Sequence, residues 1–78
     1  MSNKRTHGVT RKEASVIAKK HSGVVQGESN AGLDIEFPIE PFMRDFIAEC
    51  PVTWKFVSLP TADKPACVIA IATGDGTW

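Results

Sequence analysis

Seventy-eight residues, 42% apolar and 23% charged, fit one small globular domain and exclude both a second domain and a chain disordered over most of its length. Nine basic and nine acidic groups cancel, and the pI of about 6.7 is lower than dedicated nucleic-acid binders show. Cys50 and Cys67 are too few for a secreted disulfide scaffold and lack metal-ligand spacing, so two buried thiols are expected.

The charge is unevenly placed. Residues 1–20 hold six basic groups and one acid, Glu13, a net of +5, while the remainder holds three basic and eight acidic groups, a net of −5. Asymmetry of this kind can steer a partner toward one end of a molecule. No apolar segment follows the basic start, and no run of about 18 apolar residues occurs, which gives the expectation of a soluble, cytoplasmic protein.

Residues 1–8 show no apolar period and are expected to form a flexible basic tail. Thr10 and Glu13 then make a capping box, in which the hydroxyl accepts from a helical amide and the carboxylate reaches back to the cap amide. Ala14, Ile17, Ala18 and His21 share one face, predicting a helix over 10–22 with Gly23 as its left-handed stop. Arg11, Lys12 and Lys19 fall on the opposite side with Lys20 at its margin, the one basic cluster of the sequence.

Val24-Val25-Gln26 is a short strand, and residues 27–32 carry the glycines and asparagine of a turn. Leu33, Ile35 and Phe37 alternate with Asp34 and Glu36, so the next strand has one buried face and one acidic face. Glu40 and Pro41 open a second helix, whose Phe42, Met43, Phe46, Ile47 and Cys50 form an apolar stripe, and Pro51 stops it. Two further strands, within 52–59 and 66–73, flank the turn-rich 60–65. Most of the core is expected on this last hairpin, with Trp54 as an anchor. The second of its strands carries no charge and is expected to be covered or paired rather than left at an edge. Residues 74–78 read as a flexible C-terminal tail, with Trp78 either docked or open to a partner.

These elements predict an α+β fold: a small two-layer domain over 9–73 in αββαββ order, an antiparallel sheet with two helices packed on one face. Chemistry is scarce by comparison. His7 and His21 have no companions at ligand spacing, no serine sits in a nucleophile elbow, and residues 27–32 lack the Lys-Ser or Lys-Thr of a phosphate loop. Thr10–Gly23 resembles the first helix and turn of a helix-turn-helix, but a strand follows where the recognition helix should stand.

The expectation is therefore no catalytic residues, no cofactor and no metal, but a non-enzymatic interaction module. It would bind a larger protein partner or associate as a homodimer through Arg11, Lys12, Lys19, Lys20, Asp34 and Glu36. Small chains of this format are common among accessory and inhibitory proteins of phages and mobile elements. The alternative is a nucleic-acid binder using Lys4, Arg5, Arg11, Lys12, Lys19 and Lys20, whose affinity would fall steeply with salt.

Overall fold

A computed structural model describes residues 9–74; the tail 1–8 with Lys4, Arg5 and His7, and residues 75–78 with Trp78, lie outside the described residues. The elements run α1 (Arg11–Lys20), β1 (Val24–Glu28), β2 (Gly32–Phe37), α2 (Glu40–Glu49), β3 (Trp54–Ser58) and β4 (Cys67–Ala72). The four strands form one antiparallel sheet in the order β1-β2-β4-β3, and both helices pack against one face of it. The expected αββαββ two-layer α+β domain is the observed one.

Local chemistry sets the ends of α1. Thr10 Oγ1 accepts from the Glu13 amide at 3.2 Å, and Glu13 Oε1 accepts from the Thr10 amide at 2.9 Å, completing the capping box. The C-terminal end departs from expectation, because Ser22, not Gly23, takes the left-handed conformation, with φ 65°. The Ser22 amide donates to Lys19 O at 3.2 Å and the Gly23 amide to Ala18 O at 2.7 Å, the paired bonds of a Schellman stop. Gly23 is needed for space instead. A Cβ there would lie 2.7 Å from Phe37 Cε1 and 3.0 Å from both Ala18 O and Ile35 Cγ2.

The core is centred on the two inner strands. Leu33, Ile35 and Phe37 of β2 and Cys67, Ile69 and Ile71 of β4 are buried beneath Ala14 and Ala18 of α1 and Met43, Phe46 and Cys50 at α2. Each large side chain so buried contributes about 1.5–3 kcal/mol. Phe37 and Phe46 pack with ring centroids 5.3 Å apart. The core thus takes one strand from each hairpin, correcting the expectation that the last hairpin would carry most of it. Being uncharged, β4 is paired on both sides; Trp54 and Phe56 on edge strand β3 are only half-buried. The stripe of α2 is also narrower than its wheel suggested, since Phe42 is 37% exposed.

Backbone approach is tight between the inner strands. A Cβ on Gly32 would stand 1.9 Å from Ile71 O, so only glycine allows β2 this register against β4. Both edge strands are irregular, β1 between Val25 and Gly27 and β3 between Phe56 and Ser58. Bulges of this kind twist an edge away from straight pairing with another chain.

Candidate interaction surface

Strand alternation decides what the uncovered face presents. With Leu33, Ile35, Phe37, Cys67, Ile69 and Ile71 turned to the helices, Asp34 and Glu36 of β2 and Val68, Ala70 and Ala72 of β4 are turned the other way, all half-buried. On β3 the same alternation turns Lys55 outward, and the bulge leaves Val57 57% exposed. Register aligns these residues across the strands, because Ala70 is opposite Asp34 on one side and Lys55 on the other. An acid, a methyl group and a lysine therefore stand in one row.

The small side chains of β4 make this face concave. Ala70 and Ala72 floor a shallow groove of about 540 Å³, walled by Asp34 on the β2 side and by Thr53, Lys55 and Val57 on the β3 side, with Ser29 and Ala31 of the first hairpin turn at its end. The turn is held by its own bonds: the Ser29 amide donates to Gly32 O at 2.9 Å, and Ser29 Oγ accepts from the Gly32 amide at 3.2 Å. Glu36 accepts from Gln26 Nε2 at 3.1 Å, whereas Asp34 and Lys55 make no side-chain hydrogen bond or ion pair among the described residues.

The basic helix is not one free surface. Arg11 Nη2 donates to Ser29 O at 2.6 Å, tying the start of α1 to the first hairpin turn. Lys20 Nζ pairs with Glu49 Oε2 at 2.6 Å, and His21 Nε2 lies 2.8 Å from Glu49 Oε1, joining the C-terminal ends of α1 and α2. Hydrogen bonds from Lys20 and then His21 hold the Glu49 carboxyl below its ordinary range. Of the four cations expected to act together, only Lys12 and Lys19 remain exposed without a partner among the described residues. The structure thus places Asp34 and Glu36 together on the sheet face and gives Arg11 and Lys20 partners within the domain while Lys12 and Lys19 have none among the described residues.

Two other features belong to the frame. Arg44 stacks over Trp54 with its guanidinium carbon 5.5 Å from the ring centroid and donates to Glu40 Oε2 at 2.7 Å, bracing α2 against edge strand β3. Both cysteines are free buried thiols. Burial pushes each thiol up, with Glu13 and Glu49 adding to the effect at Cys50 and Glu40 at Cys67.

Sequence reasoning placed Asp34 and Glu36 on the outer face but missed Lys55, Ala70 and Ala72 as their companions. A signal was present: in Cys67-Val68-Ile69-Ala70-Ile71-Ala72 the larger residues fall at odd positions and the smaller at even ones, except Val68. It marks one face to be packed and another left shallow. No family model matches this sequence, and neither the curated proteins nor the solved structures compared with it yield a significant match. The surface has to be read from its own chemistry. Among the described residues, no helix is long and apolar enough to cross a membrane.

Proposed function

We propose that this chain is a small non-enzymatic interaction protein, accessory or inhibitory in type, that acts by applying the uncovered face of its sheet to another protein surface. The observation that carries this reading is the groove floored by Ala70 and Ala72 and edged by Asp34 and Lys55. A shallow, concave sheet face with a small-residue floor admits close approach of a partner, and unpaired charges at its margins fix orientation more than they add affinity. The exposed Val57 extends the apolar contact along the β3 margin.

A nucleic-acid contact through α1 is the second reading. It would use Lys12 and Lys19 with Arg11, Lys20 and, outside the described residues, Lys4 and Arg5; Lys12 and Lys19 by themselves would neutralise about two phosphates and give a salt slope near −2. That is weak for a protein whose work is binding nucleic acid. The distinguishing experiment is capture from native lysate with and without nuclease, using the wild type, D34K/E36K and K12E/K19E. A protein retained by the wild type and by K12E/K19E but lost by D34K/E36K is the expected outcome. Loss with K12E/K19E alone, or release of everything by nuclease, would refute the sheet-face reading.

A further inference from the structure

We infer that the occupant of the uncovered sheet face is a second copy of this chain, packed face to face about a twofold axis that runs parallel to β4 above Ala70. The inference rests on the sheet-face reading given above and names its partner.

The row Asp34–Ala70–Lys55 carries the argument. Its ends have opposite charge, and its centre is the smallest side chain that still covers the backbone. Each end lies one strand spacing, about 4.8 Å, from the centre. A twofold axis lying between two such faces and parallel to the strands exchanges the β2 side of one copy with the β3 side of the other. Asp34 then faces Lys55 of the second copy, and Lys55 faces its Asp34. An axis at right angles to the strands would set Asp34 against Asp34 and Lys55 against Lys55. The charge pattern therefore selects one of the two simple arrangements.

Geometry permits the contact. Aligned sheets cross at about 30°, which turns the axis about 15° off β4 and displaces a group about 4.8 Å from the centre by only about 2.5 Å, within the swing of a four-carbon lysine stem. Ala70 against Ala70 at the centre lets the sheets close to the usual spacing of about 10 Å. Competing modes are less well provided for. Both sheet edges carry bulges, so edge-to-edge extension is obstructed, and Glu36 is already held by Gln26. Three facing strands of about six residues cover roughly 14 by 20 Å, about 280 Å² on each copy, which puts the total buried area at roughly 600 Å². Such an interface belongs to the weak, reversible class, so the dimer should form and dissociate with concentration.

Sedimentation equilibrium of the whole chain from about 10 μM to about 1 mM tests this, with folding of each variant checked by its urea midpoint. The wild type should pass from monomer to dimer across that range. D34K and K55D, each alone, set like charges opposite one another and should weaken dimerisation by at least about tenfold. Mixed one to one they should form a heterodimer, because both cross-axis pairs become complementary again, and the doubly exchanged D34K/K55D should recover self-association. A mixture that stays monomeric, or single variants that dimerise like the wild type, would overturn the axis.

A70R separates this inference from the reading beneath it, because the large side chain blocks any occupant of the groove. A wild type monomeric at about 1 mM whose captured protein is lost on A70R overturns the second copy and leaves the sheet-face reading standing. A wild-type dimer indifferent to D34K, K55D and A70R, together with capture indifferent to A70R, overturns both.

Discussion

Adjacent residues at the end of α1 should respond to substitution with opposite signs. Ser22 holds a left-handed φ of 65°, while Gly23 sits where a side chain has no room. An L-residue in the left-handed region costs about 1–2 kcal/mol, and glycine there returns roughly 0.5–1 kcal/mol of that to the greater freedom of the unfolded chain. S22G should therefore stabilise by about 0.5–1 kcal/mol. Unfolding entropy of about 2.1 cal/mol/K per residue gives roughly 0.16 kcal/mol/K for a chain this size, so Tm should rise by about 3–6 °C. G23A instead forces a methyl group to 2.7 Å from Phe37 Cε1 and 3.0 Å from Ala18 O and Ile35 Cγ2. Overpacking of a rigid site costs about 1–3 kcal/mol, a sizeable part of the roughly 4–12 kcal/mol expected for the domain.

Thermal and urea unfolding followed by far-ultraviolet circular dichroism would measure both changes. A third variant separates the two causes. If Gly23 were needed for its backbone conformation, G23N would be milder than G23A, because asparagine tolerates the left-handed region. If space decides, G23N is at least as damaging. An S22G variant no more stable than the wild type, or a G23N variant clearly milder than G23A, would refute the assignment of roles.

G32A should be the most damaging of the single-methyl additions, because its Cβ meets main chain, Ile71 O, at 1.9 Å, and one inner strand must move; about 3 kcal/mol or more is expected from the urea midpoint, and a loss below about 1 kcal/mol would contradict the tight β2–β4 approach. T73V should stabilise by about 1 kcal/mol, since Thr73 Oγ1 is buried with no hydrogen-bond partner among the described residues and valine keeps the shape; destabilisation would point to a partner for that hydroxyl. Glu49, held below its usual value of 4.5 by Lys20 and His21, contributes stability that is present above that value and lost as pH falls through its depressed folded pKa. The wild type should exceed E49Q in stability at neutral pH and low salt, and the two should converge in acid; curves that stay parallel to pH 2 would sink the pairing.

Element identity was readable because each cue was local. The Thr10–Glu13 box, Pro41 and Pro51 around α2, and the alternation from Leu33 to Phe37 act within a few residues, and the structure follows each of them. The choice between Ser22 and Gly23 was not local. It turns on the approach of Phe37 and Ile35, which lie more than ten residues away in sequence and decide which neighbour must lack a Cβ. The burial of β3 misled for a similar reason. Trp54 and Phe56 have core character, yet strand order puts them at an edge, where α2 reaches only far enough for Arg44 to cover the indole. Propensity describes what a side chain prefers; strand order decides how much cover it receives.

The candidate surface was legible in part, and the missing part is a matter of register. A run of charges such as Arg11, Lys12, Lys19 and Lys20 looks like a binding face on a helical wheel because a wheel omits what lies beside the helix. In the fold, Ser29 takes Arg11 and Glu49 takes Lys20, so half of the set holds the domain together. Some of the charge that is separated along the chain is brought together by folding. The charges that folding leaves unpaired among the described residues are more informative, and they include Lys12 and Lys19 on the helix layer and Asp34 and Lys55 on the sheet layer. Of these two pairs, the second has opposite signs, a defined spacing across Ala70, and a groove between its members. A surface that leaves an acid and a lysine unpaired on either side of Ala70 is one that a second surface can complete, and the proposed sheet-face contact rests on that pattern.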